Sequence, residues 1–320
     1  VDSISFEKEV RGTFMNKAKL RTSIDIGTNS VLLLVANICD GGIEVLEEKQ
    51  AVPRLGKGVD VDKNLHPDSC DRVIKVLKSY KAHLLEYYPS IAKDVVVTAT
   101  SAVRDSSNRA EFINQIYQET GWQVELLSGE EEAQTTYTGA ISVLKDQSKN
   151  FVVLDIGGGS TEIAFGKQLE LNSGISVDMG SVRFSERYLK SDPPEKKELE
   201  NLRIEVNSLL KAENLNLKNY RLVGVAGTVT SIAAIELGLD HYEASRINGY
   251  LLKKKSIEAF IDEFSKINSD KIEQKYSPFL SGRGDVITGG LVILDEFMNQ
   301  FNFDELIVST GGIRHGILTT

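Results

Sequence analysis

Apolar residues along this chain fall into short runs of four or five, each closed by glycine or by a polar turn. The first runs are Ser23-Ile24-Asp25-Ile26, then Val31-Leu32-Leu33-Leu34-Val35 after a Gly-rich turn, then Ile43-Glu44-Val45-Leu46 after Asp40-Gly41-Gly42. This layout predicts strand, tight turn, strand and hairpin. Val73, Val76, Leu77, Tyr80 and Leu84 recur at helical spacing behind a cap at Asp68 or Ser69, and Asp94-Val95-Val96-Val97 reads as the next buried strand. A second helix is expected from Asn108 to Thr120, stopped by Gly121, followed by a strand at Gln123-Val124-Glu125-Leu126-Leu127. Ser128-Gly129-Glu130-Glu131-Glu132-Ala133 then opens a helix that joins two halves.

The pattern restarts after that helix. Phe151-Val152-Val153-Leu154-Asp155, a turn, and Glu162-Ile163-Ala164-Phe165 repeat the order of the opening elements. Helices at about 195–213, 228–237, 256–267 and 284–300 alternate with strands at 221–225 and 305–309. Alternation of this kind predicts an α/β fold with mixed sheets flanked by helices. Residues 1–19 are polar and without periodicity; they are assigned no fold and are read as a leader or disordered extension, with Met15 as a natural start.

A length of 320 residues exceeds one ordinary core and suits two domains of similar size. No apolar stretch reaches the roughly 20 residues that cross a bilayer, and the N-terminal sequence has no secretion-signal layout, so a cytoplasmic location without membrane partners is expected. A net charge of -9 repels polyanions at long range and argues against nucleic acid as a partner. Any anionic ligand must therefore be held by a local cluster of donors or by a metal. Cys39 and Cys70 stand alone, which excludes a disulfide framework, and His66, His83, His241 and His315 show no metal-ligating spacing. The charged stretch Asp192-Pro193-Pro194-Glu195-Lys196-Lys197 reads as a solvated helix start.

The strongest chemical signal is a repeat. Asp25-Ile26-Gly27-Thr28-Asn29-Ser30 returns as Asp155-Ile156-Gly157-Gly158-Gly159-Ser160, each time straight after a buried run. Each copy sets a carboxylate at a strand's end and then a tight bend whose N–H and hydroxyl groups form an anion cradle. Either copy alone is as well explained by a Gly-rich hairpin turn. The pair points to two related half-domains facing one cleft. Walker and Rossmann loops are excluded, because no G-x-x-x-x-G-K-[ST] is present and Gly56-Lys57-Gly58 has no third glycine.

Ala226-Gly227-Thr228 opens a helix after an apolar run, so its free N–H groups are candidates for a further phosphate, and Thr228 is equally an ordinary cap. Arg104, Arg183 and Arg283 are candidate phosphate clamps or surface ion pairs. Ser128 with Glu131 makes a capping box, and local physics assigns Glu130, Glu131 and Glu132 together to that helix start. A carboxylate placed where the halves meet is also a candidate to draw a proton from water.

Taken together, these motifs resemble the exopolyphosphatase and guanosine pentaphosphatase (Ppx/GppA) family, a branch of the actin and sugar-kinase superfamily. The resemblance runs from about Thr22 to Leu318. It rests on both Asp-Ile-Gly loops and on Ala99-Thr100-Ser101-Ala102-Val103-Arg104 with Asn108. Ser128 to Ala133, Met179-Gly180-Ser181-Val182-Arg183, Gly227-Thr228, and Arg283-Gly284-Asp285-Val286 running into Gly289-Gly290 complete it.

It implies two similar actin-like (ribonuclease H-like) domains with an interdomain cleft, at 20–131 and 132–320, the last helix packing back on the first. It implies that Glu132, the acid just before Ala133, is the general base, leaving Glu131 to cap. It implies Mg²⁺ supported by Asp155 and Glu162 with Asp25 opposite, a monovalent cation such as K⁺ as a further cofactor, and a homodimer. Phosphate contacts carried over are Gly27, Thr28, Asn29, Ser30, Arg104, Gly157, Gly158, Gly159, Ser160, Thr161, Gly227, Thr228 and Arg283. The implied reaction releases orthophosphate from the end of polyphosphate or from the 5′ end of guanosine pentaphosphate. An ATP-dependent small-molecule kinase and a non-catalytic alarmone or polyphosphate sensor are the alternatives. Two departures from the family pattern stand out. The chain carries Arg314-His315-Gly316 where Arg-Glu-Gly is usual, and it reads as the short, two-domain form.

Overall fold

The computed structural model describes residues 18–39 and 42–319. The first half runs β1 (Lys19–Ile26), β2 (Val31–Cys39), β3 (Gly42–Ala51), α1 (Val59–Asp62), α2 (Pro67–Tyr87), β4 (Val95–Ala99), α3 (Ser101–Arg104), α4 (Arg109–Thr120) and β5 (Val124–Leu126). Helix α5 (Gly129–Ser142) leads to β6 (Asn150–Ile156), β7 (Thr161–Lys167), β8 (Glu170–Val177), α6 (Ser181–Tyr188), α7 (Lys196–Ala212), β9 (Arg221–Val225) and α8 (Ala226–Glu236). The chain closes with α9 (Ala244–Ile247), β10 (Leu251–Lys253), α10 (Lys254–Phe264), α11 (Ser269–Lys275), α12 (Ile287–Phe301), β11 (Glu305–Val308) and α13 (Ile313–Thr319).

The repeat seen in the sequence is a repeat of topology. One sheet has the order β3-β2-β1-β4-β5, and the other reads β8-β7-β6-β9-β11 with β10 added at its far edge. In both, an antiparallel meander of three strands is extended by two parallel strands. Both Asp-Ile-Gly loops are four-residue hairpin connections, Ile26 facing Val31 across one and Ile156 facing Thr161 across the other. Two mixed sheets flanked by helices are what the alternation predicted.

Each sheet has one face covered by helices of its own half. Ile24, Ile26, Leu33 and Val35 pack with α2 residues Val73 and Leu77, while Val152 and Leu154 pack with residues of α7, α8 and α12. The other faces are covered by the crossing helices. Helix α5 lays Ala133, Tyr137, Ala140 and Ile141 on Phe151 and Val153 of the second sheet, and α13 puts Leu318 against Leu34 and Ala36 of the first. These two helices meet through glycine: a Cβ on Gly139 would lie 2.0 Å from the Gly312 carbonyl oxygen. Any side chain there would force the crossing apart.

The structure corrects the sequence reading in several places. Helix α2 begins at Pro67 with His66 as its N-cap, so Asp68 and Ser69 lie within the first turn, where proline suits the first helical position. β8, β10 and the helices α1, α3, α6, α9 and α11 were not anticipated; β8 is an edge strand with a polar outer face, which carries no alternating apolar signal. Of the segment read as a leader, residues 1–17 lie outside the described residues, and Lys19 already belongs to β1. Among the described residues no helix is long and apolar enough to cross a membrane.

Candidate active site

The two Asp-Ile-Gly bends touch. A Cβ added at Gly158 would lie 2.7 Å from the Thr28 side chain, so only a bare backbone lets the second bend approach the first this closely. Thr28 in turn shares a 2.9 Å hydroxyl contact with Ser101 at the start of α3. Between the bends lies a cavity of about 160 Å³. Asp25, Gly27, Thr28, Asn29 and Ser30 line it from one side, and Asp155, Gly157 and Gly158 from the other.

The carbonyls of both bends are tied back into the protein. Thr28 and Asn29 carbonyls accept from the amides of Gly56 (2.7 Å) and Arg54 (3.0 Å). The Gly157 carbonyl accepts from the Ser181 amide, and the Gly158 carbonyl from the amides of Val182 and Arg183. In a trans peptide the N–H points opposite to the C=O. No described residue accepts from the N–H of Thr28, Asn29, Gly158 or Gly159, and the buried Asn29 Nδ2 also has no partner. Buried donors without acceptors call for an anion.

A third donor group completes the cradle. Arg283 is half-buried, donates to Ser30 Oγ at 2.7 Å and pairs with no described carboxylate; desolvation pushes it down to about 10. Its guanidinium packs on Gly227, next to Thr228 at the start of α8, and all three line the cavity. The positive φ of 63° at Ala226 is a strained, sparsely populated conformation that turns this helix start toward the same space.

Opposite the donors stands a set of buried acids. Glu132 is 5% exposed and faces the cavity, and burial pushes its carboxyl up to about 8 in spite of Arg104, whose Nη1 donates to Oε2 at 2.8 Å. Burial raises Asp25 to about 7, with Arg314 pulling down and Asp155 pushing up, and raises Asp155 to about 6. Glu162 stands directly across the strand pair from Asp155 and is raised well above the usual range by burial and by Glu132. Its Oε1 accepts from Ser176 Oγ at 2.6 Å.

Among the described residues no three acids, histidines or cysteines converge as a complete metal-ligand set. The donors are nevertheless hard oxygens whose repulsion a cation would relieve. That fits Mg²⁺, which keeps waters and is commonly held by one or two carboxylates plus substrate phosphate oxygens.

The structure thus gathers most of the candidate residues and sets others apart. Arg104 does not line the cavity: its guanidinium is spent on Glu132 and on the Leu127 carbonyl at 2.9 Å. Thr161 donates its hydroxyl to the Met179 carbonyl at 2.6 Å, and Ser160 is buried beside Glu162, so neither hydroxyl opens on the cavity. Gly159 and Glu162 also lie behind the lining. Glu131 closes the capping box with Ser128, separating it from its neighbour Glu132 as the resemblance implied. Lining residues not named as site residues include Thr100, Ser101, Ser181, Tyr242 and Arg314. A signal for Thr100-Ser101 was present: this pair follows β4 as Gly227-Thr228 follows β9.

A sequence model of the Ppx/GppA phosphatase family matches residues 34–320. A bifunctional 3-dehydroquinate synthase/phosphatase of Fusobacterium nucleatum is 34% identical over 314 residues, covering 93% of this chain and 46% of that protein. Exopolyphosphatase 2 of Mycobacterium tuberculosis is 33% identical over 313 residues, covering 92% of this chain and 96% of that protein. The crystal structure of the Aquifex aeolicus member of the Ppx/GppA family superposes with a TM-score of 0.77 at 31% identity, covering 93% of this chain and 96% of that one.

Proposed function

The chain belongs to the Ppx/GppA phosphatase family, and we propose that it hydrolyses the terminal phosphoanhydride of inorganic polyphosphate or of guanosine pentaphosphate. The observation that carries this reading is a buried carboxylate, Glu132, facing a cavity that combines unpaired anion donors with the acids Asp25 and Asp155. A site built for a polyanion but holding a proton acceptor suits water attack on phosphorus.

In this mechanism the terminal phosphoryl group sits between the two bends, with amides of Thr28, Asn29 and Gly158 as donors. Arg283 and the start of α8 take the following phosphate. Glu132 accepts a proton from water as its oxygen bonds to phosphorus, and the bridging P–O bond breaks in line. The products are orthophosphate and a chain one phosphate shorter, and the proton on Glu132 passes to solvent. Phosphoryl transfer asks mainly for placement and charge stabilisation, which fixed amides and a guanidinium held on Ser30 supply without reorganising. Arg104 keeps the Glu132 carboxyl aimed and draws its proton affinity down toward a working range. Asp155 and Glu162, with Asp25 facing them, would hold Mg²⁺, which when bound spreads the phosphate charge and favours the ionised form of these acids.

The test is direct: the purified protein with Mg²⁺ and polyphosphates of defined length, beside guanosine pentaphosphate, assayed for free orthophosphate. Release without any acceptor substrate supports hydrolysis. Phosphate release that requires ATP and a second substrate, or binding without turnover, would overturn it.

A further inference from the structure

Arg183 was a candidate phosphate clamp, yet it does not line the cavity. Its side chain is 9% exposed and bound on every side. Nε donates to the Gly159 carbonyl at 2.6 Å, Nη1 to Asp60 at 2.9 Å and Nη2 to Asp105 at 2.5 Å, with Asp178 3.8 Å away at the surface. Its own amide donates to the Gly158 carbonyl at 3.0 Å. Gly158 and Gly159 belong to the second bend. Asp60 lies on α1 and Asp105 caps the end of α3, so both acids come from the first half.

We infer that Arg183 is a positioning residue that fixes the donors of the second bend by bolting its carbonyls to the first half. The chain of cause is short. Main-chain amides of Ser181, Val182 and Arg183 hold the Gly157 and Gly158 carbonyls and the guanidinium holds the Gly159 carbonyl, so the backbone on both sides of Gly158 is clamped and its cavity-lining N–H keeps its direction. Holding the same guanidinium on Asp60 and Asp105 makes that orientation depend on the halves standing together. Only a planar fork with separate N–H groups can meet a carbonyl and two carboxylates at once, which a lysine cannot do. Nearby contacts reinforce the same seam: Arg187 also pairs with Asp60 at 2.8 Å, and Glu186 accepts from the Gly58 amide at 3.1 Å.

The inference rests on the bend acting as the phosphate cradle proposed above, and its test separates the two. Binding of inorganic pyrophosphate is measured by calorimetry, and polyphosphate hydrolysis in parallel, for the parent protein, Arg183→Lys, Asp105→Asn and the double variant. The Lys variant is expected to bind pyrophosphate about tenfold more weakly and to lose kcat by a similar factor, since sub-ångström placement of donors controls both. Asp105→Asn, whose carboxylate touches no part of the cavity, is expected to weaken binding in the same direction but to add nothing in the Arg183→Lys background. A purely structural role would lower the melting temperature and leave the dissociation constant of the folded protein unchanged, and that result would overturn the inference. So would multiplicative effects in the double variant, or a parent that does not bind pyrophosphate. A parent that binds pyrophosphate but releases no phosphate from polyphosphate would instead sink the hydrolase reading.

Discussion

The two Asp-Ile-Gly bends occupy equivalent places in duplicated sheets, yet they are built differently. Across the hairpin from Asp25 stands Leu32; across from Asp155 stands Glu162. The first bend carries Thr28, Asn29 and Ser30, whose side chains reach Ser101, the cavity and Arg283. The second carries three glycines and presents little but peptide. Asp25, Asp155 and Glu132 share one neighbourhood; Arg314 stands near Asp25, and Glu162 adds a further acid beside Asp155. Duplication supplied the cleft, and divergence divided the labour. The first bend offers hydroxyls and a side-chain amide, while the second offers bare peptide beside a further acid.

The sharpest way to break this comparison is to neutralise the acid that belongs to neither bend. Glu132→Gln keeps the shape and the Arg104 contact and removes the proton acceptor, so kcat is expected to fall on the order of a hundredfold or more with KM little changed. Stopped assays of orthophosphate release across substrate concentrations check this. Unaltered kcat would reduce Glu132 to a helix-start residue and leave the two halves without a shared reacting centre.

The next test compares the aspartates themselves. If charge is concentrated on the second half, Asp155→Asn should lower kcat/KM roughly thirtyfold more than Asp25→Asn, because only Asp155 has a second acid across the strand pair. Titrating Mg²⁺ in the same assays sharpens it. The Asp155 variant is expected to need a higher Mg²⁺ concentration for half-maximal rate, and the Asp25 variant to shift less. Equal losses would mean that the bends are functionally symmetric.

Much of this was legible in the chain because the features are local. The strand, bend, strand units follow from apolar runs closed by glycine, and Gly121 ends α4 in the left-handed conformation its position suggested. Glu131 and Glu132 show where locality ends. Both suit a helix start equally, and what separates them is a 100° turn of the helix that leaves Glu131 exposed in its capping box and sends Glu132 into the cleft. The partner of Glu132 was beyond such reasoning: Arg104 reaches it only because α3 and α5 follow neighbouring parallel strands, β4 and β5. Arg183 and Arg283 read alike in sequence, yet one meets two aspartates and the other none, a difference set by contacts across 78 and 123 residues of chain.

The crossing helices give a last and smaller contrast. Helix α5 turns an acid, Glu132, into the cleft; at its counterpart α13, His315 is turned inward, 1% exposed, with Nδ1 unpartnered. Burial, helped by Arg314, pushes His315 down to about 3. An ordinary histidine in the unfolded chain takes up a proton near pH 6.5. Between pH 6.5 and 3 the unfolded state therefore binds one proton more than the folded state at this residue, and its contribution to stability declines as the pH falls. Going from pH 7 to 5.5, the loss from His315 is about 1 kcal/mol. A neutral His315→Gln variant lacks this term, so its urea-unfolding free energy should fall less than the parent's over that interval, with metal chelated in both. Identical pH profiles would mean that His315 takes up its proton in the fold as readily as in the unfolded chain. The α13 crossing would then carry a buried cation beside Arg314, and the contrast between an acidic α5 and an inert α13 would fail.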